Sequence, residues 1–187
     1  MLLVSGVTCA LSPDMPRGIE QLFDRARNAG TGVSLDLDYR SALWSREAAG
    51  RGYRKLAPPV NVLFAGVNEA SIIVKVADDL NSALSALRVF DYAFVVITDG
   101  AGGSRARAGS AGVYADALAV PVVDTGAAGD AFAGAFLSDW LRNLTLEECM
   151  RTASAAGAHA CMFAGDWEGA PTREDIDALS QGLVIER

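Results

Sequence analysis

Val122-Val123-Asp124-Thr125-Gly126-Ala127-Ala128-Gly129-Asp130-Ala131-Phe132-Ala133-Gly134-Ala135-Phe136-Leu137 reads as a strand, a tight turn of very small residues, and an apolar helix that opens at an aspartate. The backbone N–H groups at such a helix start, with the positive end of the dipole behind them, form an anion site wherever nothing bulky blocks the approach. Ala127, Ala128 and Gly129 leave that path open. Asp130 stands where an anion would sit. Its carboxylate is either an ordinary first-turn complement to the dipole or a base placed beside a reacting group.

Upstream of this stretch, short apolar runs rich in β-formers alternate with helical segments. The runs are Leu2–Ser5, Val33–Leu37, Asn61–Ala65 and Ala93–Thr98; the helices cover Met15–Ala29, a segment from Ser45, one after Asn68, and one near Leu80–Phe90. Short apolar runs between helices are strands of a parallel sheet buried on both faces, so the fold class is α/β. Between Thr98 and Val123 the pattern changes to glycine-punctuated segments, Ser104–Ala108, Val113–Ala115 and Leu118–Val123, which suit an antiparallel edge. Downstream, Ala127–Arg142, Leu146–Phe163 and Thr172–Gln181 read as helices, the last opened by the box Thr172-Arg173-Glu174-Asp175 with its Thr N-cap. With no repeat, low-complexity tract or linker in the sequence, one compact unit is expected.

The 187 residues carry 23 acidic and 16 basic side chains, a formal charge of −7. That balance argues against a nucleic-acid or anionic-membrane partner, since phosphate binding without a basic face is electrostatically unfavourable. Cys9, Cys149 and Cys161 are scattered, with no CxxC pair, so neither a disulfide framework nor a zinc site is suggested, and a reducing, cytoplasmic location is the simplest reading. The apolar opening MLLVSGVTCALS lacks a basic flank and reads as a buried strand, and no apolar run approaches the roughly 18 residues of a membrane span. His159 is the only histidine, which excludes a His-cluster metal site and a Ser-His-Asp triad; an enzyme built on this chain would draw its base from a carboxylate, a lysine or a thiol. His159, Cys149, Cys161 and the three tryptophans, Trp44, Trp140 and Trp167, are read as packing residues.

The opening stretch resembles the second signature of the ribokinase-like (PfkB) carbohydrate kinases, D-T-x-G-A-G-D-x-F with a glycine close behind, matched at Asp124, Thr125, Ala128, Gly129, Asp130, Phe132 and Gly134. Ala127 stands where the family usually has glycine. A methyl there is tolerated at negative φ and costs about 1 kcal/mol or more at positive φ. The resemblance implies that Asp130 removes the proton from a sugar hydroxyl as it attacks the γ-phosphate of ATP. It also implies that the amides around Ala127, Ala128, Gly129 and Asp130 hold the charge developing on the transferring group, with Thr125 and Gly126 at the nucleotide and Asp124 on the substrate side.

Other segments resemble the same family in order and spacing. Val95-Val96-Ile97-Thr98-Asp99-Gly100-Ala101-Gly102-Gly103 is similar to its strand followed by K/T-x-G-x-x-G, which would set Thr98, Gly100 and Gly103 along the nucleotide phosphates. Phe64-Ala65-Gly66-Val67-Asn68-Glu69-Ala70 resembles its N-x-x-E-A segment, which organises Mg2+ through water. Anchored on Glu69-Ala70, the Glu is kept and Gly66 replaces the Asn; anchored on Asn68, Ser71 replaces the Glu. The first register is preferred because the following helix begins in the same place. Ser34-Leu35-Asp36-Leu37-Asp38-Tyr39-Arg40-Ser41-Ala42-Leu43-Trp44 resembles the D-x-N-x-R-x-x-L-W stretch of 2-keto-3-deoxygluconate kinases, and Val4-Ser5-Gly6-Val7-Thr8 their S-G-I-T strand end. Arg40, after a strand, is then placed to grip an acidic sugar's carboxylate with two donors, or else it is a surface partner of Asp36 or Asp38. Asp38 replaces the usual Asn, and D-x-D-Y-R also resembles 5-dehydro-2-deoxygluconokinases. Gly165-Asp166-Trp167-Glu168-Gly169-Ala170-Pro171 resembles the C-terminal loop whose Asp, here Asp166, approaches the substrate.

The resemblance implies a ribokinase-like fold, a mostly parallel central sheet flanked by helices with an antiparallel edge. Residues 1–187 would be the C-terminal portion of one kinase domain, carrying the nucleotide-binding half and the catalytic base. The N-terminal strands, the Gly-Gly and Asn signature and the β lid would be absent, and with the lid the contact through which full-length members often form homodimers. The implied activity is ATP- and Mg2+-dependent phosphorylation of a sugar-acid hydroxyl of the 2-keto-3-deoxygluconate kind. The alternatives are a 5-dehydro-2-deoxygluconokinase or another PfkB sugar kinase, and a non-catalytic nucleotide-binding remnant. An oxidoreductase is excluded because no G-x-G-x-x-G follows the first strand.

Overall fold

The computed structural model describes residues 1–57, 60–74, 79–90 and 92–180. Its packing divides the chain into two compact units. The first is Met1–Asp99 with Arg105–Gly112, and the second is Gly100–Ser104 with the residues from Val113 onward. Two of the three crossings fall beside glycines, Gly100 and Gly112, and the third lies between Ser104 and Arg105, all in the segment where the α/β alternation stops.

Strands β1 (Leu2–Ser5), β2 (Val33–Asp36), β3 (Val62–Gly66) and β4 (Phe94–Thr98) pair in parallel, in sequence order. They alternate with helices α1 (Met15–Asn28), α2 (Arg46–Leu56), α3 (Val67–Ile73) and α4 (Leu80–Ala86). The expected class and all four expected strands are therefore present. Val33, Leu35, Val62, Leu63, Val95, Val96 and Ile97 are fully shielded from solvent, which is why these strands read as continuous apolar runs rather than alternating ones. β1 stops at Ser5 and the chain turns into a 3-10 helix over Gly6–Ala10, so the apolar opening is only partly strand. The turn requires glycine: a Cβ on Gly6 would overlap the Leu37 carbonyl oxygen and stand 2.7 Å from Tyr53 Cε1.

β5 (Ser104–Ala108) and β6 (Ala111–Ala115) continue the sheet order to its edge. Only Gly109 and Ser110 join these neighbours, a connection that is too short for a parallel crossover, so the edge is an antiparallel hairpin as expected. Leu118–Val123, expected as a further strand, is not one. Pro121 withdraws a donor from its middle, Val122 and Val123 are each 63% exposed, and the Val123 and Asp124 amides both donate to the Cys161 carbonyl instead, at 2.8 and 3.2 Å.

In the second unit α5 (Ala128–Leu141) packs on α6 (Leu146–Ala160), and α6 on α7 (Arg173–Ser180). α6 ends three residues earlier than expected because Met162 and Phe163 bond back to His159 and Ala160, tightening its last turn. The box at Thr172 is formed: Thr172 donates its amide to Asp175 Oδ2 and accepts from the Asp175 amide. Gln181, the expected end of this helix, lies outside the described residues. His159 is fully buried with Nδ1 3.0 Å from the Gly169 carbonyl, Cys149 is buried and Trp44 stacks edge-on against Tyr53. Trp167, expected to pack, is 76% exposed.

Candidate functional site

The parallel register of the first unit sets Ser5 opposite Asp36 and Gly66 opposite Thr98, all at the carboxyl ends of their strands. Open parallel sheets bind ligands outside those ends. Beyond β2 the chain stays tied to the sheet through Leu37, whose amide donates to the Phe64 carbonyl at 3.1 Å and whose carbonyl accepts from the buried Tyr53 hydroxyl at 2.6 Å. Asp38 then adopts φ +39°, in the left-handed region that non-glycine residues rarely occupy. Two bonds hold it there: Ser5 Oγ donates to Asp38 Oδ2 at 2.8 Å, and Arg40 Nε donates to Asp38 Oδ1 at 2.7 Å. Arg40 is thus fixed on its own loop by one nitrogen. Its side chain is 53% exposed, and among the described residues no hydrogen bond engages either of its Nη groups, which leaves a fork suited to an incoming carboxylate.

β3 ends at Gly66, which caps α3, and Glu69 is the third residue of that helix. Gly66 and Glu69, the two positions of the register anchored on Glu69-Ala70, thus stand three residues apart at the junction of strand and helix. Asn68 and Ser71, the anchors of the other register, face Arg46, which donates to the Asn68 carbonyl at 3.3 Å and to Ser71 Oγ at 2.6 Å. Glu69 Oε2 accepts from the Gly66 amide and Oε1 from the Tyr39 amide, each at 2.7 Å. Burial pushes its carboxyl up from the ordinary value, while the two amides pull it back. The bond to Tyr39 had no local signal in the sequence, because its partner lies 30 residues away.

In the second unit α5 opens at Ala128 with Ala127 as its cap at φ −88°, ψ −3°. The sign of φ makes the alanine harmless at the position where the family signature has glycine. Ala127 has no polar side chain to cap this terminus; the Ala128 amide donates to the Thr125 carbonyl at 3.3 Å, and helix geometry supplies no carbonyl four residues back for the amides that follow it. A Cβ built on Gly129 would meet nothing within 4 Å, so approach to the turn is unobstructed. Asp130 is exposed in the same turn. An anionic phosphate fits this terminus by charge and by space. Gly157 of α6 lies directly against it and is a residue the sequence reading missed.

The loop ahead of α5 is tied by Asp124. Its Oδ1 accepts from the Gly126 amide at 2.9 Å and its Oδ2 from the Gly165 amide at 3.2 Å, and these bonds hold its carboxyl below the usual value. A Cβ on Gly126 would lie 3.3 Å from Asp166 Oδ1 and 3.4 Å from Asp124 Oδ1, so the two carboxylates expected near a substrate flank one glycine, with Thr125 exposed beside them. Gly100 and Gly103 both have positive φ, 51° and 83°, and a Cβ on Gly103 would stand 2.6 Å from the Ala115 carbonyl oxygen. Glycine is therefore required where the nucleotide loop is expected. Among the described residues no group of three or more His, Cys, Asp or Glu side chains could hold a metal ion, and no helix is long and apolar enough to cross a membrane.

The model of the pfkB family carbohydrate kinases matches residues 1–173. The chain is 32% identical over 179 residues to a 2-dehydro-3-deoxygalactonokinase of Haloferax volcanii, covering 95% of this chain and 56% of the relative. It is 33% identical over 187 residues to a 5-dehydro-2-deoxygluconokinase of Shouchella clausii, covering 96% and 56%. The chain spans about half the length of these curated relatives. The fold is shared with a fructokinase from Vibrio cholerae in its fructose-, ADP- and calcium-bound form, at a TM-score of 0.84 and 23% identity, covering 95% of this chain and 59% of that one.

Proposed function

As the chain belongs to the pfkB family of carbohydrate kinases, we propose that residues 1–187 supply the nucleotide-binding half and the catalytic base of one kinase domain that phosphorylates a hydroxyl of a keto-deoxy sugar acid. The observation that carries this reading is the opening of α5. A fourteen-residue helix starts there on an alanine cap, with an unobstructed glycine and a carboxylate in its first turn. Bound ATP would supply the phosphoryl group, and magnesium the charge that offsets it. Asp130 takes the proton of the attacking hydroxyl as its oxygen bonds to the γ-phosphorus and the bond to the leaving ADP oxygen breaks. The amides of Ala127 to Asp130 hold the charge that develops on the transferred group.

In this reading Thr98, Gly100 and Gly103 contact the nucleotide phosphates, and Thr125 and Gly126 also contact the nucleotide. Glu69 keeps a lone pair on each oxygen beyond its two amide bonds, which suits a water of the magnesium shell. The Arg40 fork binds the substrate carboxylate, and Asp166, with Asp124 beside it, meets sugar hydroxyls. The acidic-sugar assignment draws on Arg40 and on relatives whose names specify keto-deoxy sugar acids. Of those acids, the 2-keto-3-deoxy kind is preferred on the Arg40 segment, and the 5-keto-2-deoxy kind is the second reading because Asp38 stands in the D-x-D-Y-R form.

A phosphorylation assay of the chain with Mg-ATP tests the reading, with both classes of sugar acid set against ribose and fructose. Turnover of a sugar acid that disappears in Asp130→Asn is the expected result. Nucleotide binding without transfer to any sugar would favour the non-catalytic remnant, and a folded chain that binds no nucleotide would sink both readings.

A further inference from the structure

Resting on the proposal that Arg40 binds the substrate carboxylate, we propose that Glu69 is a positioning residue for that acid-binding loop: its carboxylate sets the loop's backbone and so the direction of the Arg40 fork. The loop Asp38-Tyr39-Arg40 leaves the sheet through a left-handed residue, Asp38 at φ +39°, a conformation that persists only when its surroundings hold it. Three clamps are present. Ser5 Oγ reaches Asp38 from the end of β1, and Arg40 Nε closes onto the same carboxylate. The third comes from β3–α3, where Glu69 accepts from the Tyr39 amide at 2.7 Å.

The Glu69 clamp differs from the other two in kind. It grips the backbone between Asp38 and Arg40, so it acts on the path of the chain and not on a single rotatable side chain. Its other oxygen is anchored to the Gly66 amide, at the end of β3 and opposite Thr98 in the register. The carboxylate is a rigid link from that strand end to the loop. The charged form suits the task, because hydrogen bonds to an ionised acceptor are the stronger kind, and only a carboxylate offers an acceptor on both oxygens. Glu69→Gln presents an amide NH2 to one of the two backbone donors and therefore breaks the link at one end.

The test is calorimetric titration of the chain with 2-keto-3-deoxygluconate in EDTA and without nucleotide, so that any effect of Glu69 on magnesium is removed. Glu69→Gln is expected to weaken binding at least tenfold. Amide hydrogen exchange should show Tyr39 protected in the wild type and deprotected in the variant, while the Leu37 amide, two residues back in the sheet, stays protected. Glu69→Asp, with the same charge on a shorter stem, is expected to shift the affinity in the same direction and serves if the Gln variant does not fold. In combination with Arg40→Ala, Glu69→Gln should add less than twofold, because the two changes remove one interaction. Unchanged affinity in Glu69→Gln, or equal deprotection of Leu37 and Tyr39, overturns the positioning role. A wild-type chain that binds no sugar acid defeats the substrate reading of Arg40 instead, and the Tyr39 exchange still decides whether the link exists.

Discussion

Gly157 in α6 lies against the first residue of α5: a Cβ on it would stand 3.1 Å from the Ala128 carbonyl oxygen and 3.5 Å from Phe132 Cβ. The atom in the way is main chain at the turn proposed to hold the transferring phosphoryl group, so any side chain here displaces that turn. Overpacking of this kind costs about 1–3 kcal/mol. Gly157→Val is therefore expected to lower the melting temperature and to weaken ATP binding together. Calorimetry with a thermal melt checks both, and intact nucleotide affinity in a folded variant would detach the turn from the nucleotide.

Asp130→Asn keeps the shape of the α5 opening and removes the base. Loss of a general base typically costs about 10²–10⁴-fold in rate. The expected outcome is a fall in kcat of that order with the ATP dissociation constant unchanged. Retention of most of the turnover would take Asp130 out of the mechanism.

Arg40→Ala separates substrate recognition from a local ion pair. A charge-assisted hydrogen bond is worth roughly 1.5–3 kcal/mol, which at about 1.4 kcal/mol per decade is a tenfold to hundredfold rise in KM for a sugar acid. The KM for ATP should not move. Arg40 also bonds Asp38, but this is a solvated pair contributing about 0–1 kcal/mol, so the melting temperature should change little. A lowered melting temperature with an unchanged sugar-acid KM would identify Arg40 as a loop strut only.

Asp124 makes a pH-dependent contribution. Its carboxyl is held below the usual value by the Gly126 and Gly165 amides, which bond the ionised form. A group whose pKa is depressed on folding stabilises the fold fully above its unfolded value, about 3.9, and loses that contribution as pH falls through the folded one. Asp124→Asn should melt lower than wild type at pH 7, and the gap should close as both are taken into acid. A gap that is constant from pH 7 to pH 2 would mean that the charge is not what ties this loop.

β2, β3 and β4 were legible because they are shielded on both faces, and an apolar run bounded by polar turns is what such shielding selects; β1, where Leu3 is 40% exposed, was legible from its apolar β-formers alone. Glu69 was legible as a helix-opening carboxylate, since its bond to Gly66 spans three residues and follows from helix geometry. Leu118–Val123 was misread. Its residues favour strand, but strand formation needs a neighbour with open hydrogen-bonding groups, and here the amides of Val123 and Asp124 found the end of α6 instead.

Residue order by itself determined the α/β alternation, the antiparallel edge, the small-residue turn before α5 and the position of Asp130 within its helix, because all of these depend on neighbours a few positions apart. Tertiary structure alone decided the hold of Ser5 on the left-handed turn at Asp38 and the reach of Glu69 to Tyr39. Each of these is settled by groups brought together through the sheet register and helix packing. A backbone conformation or a shared hydrogen bond at such a place depends on which distant segment arrives there, and local propensity carries no record of that.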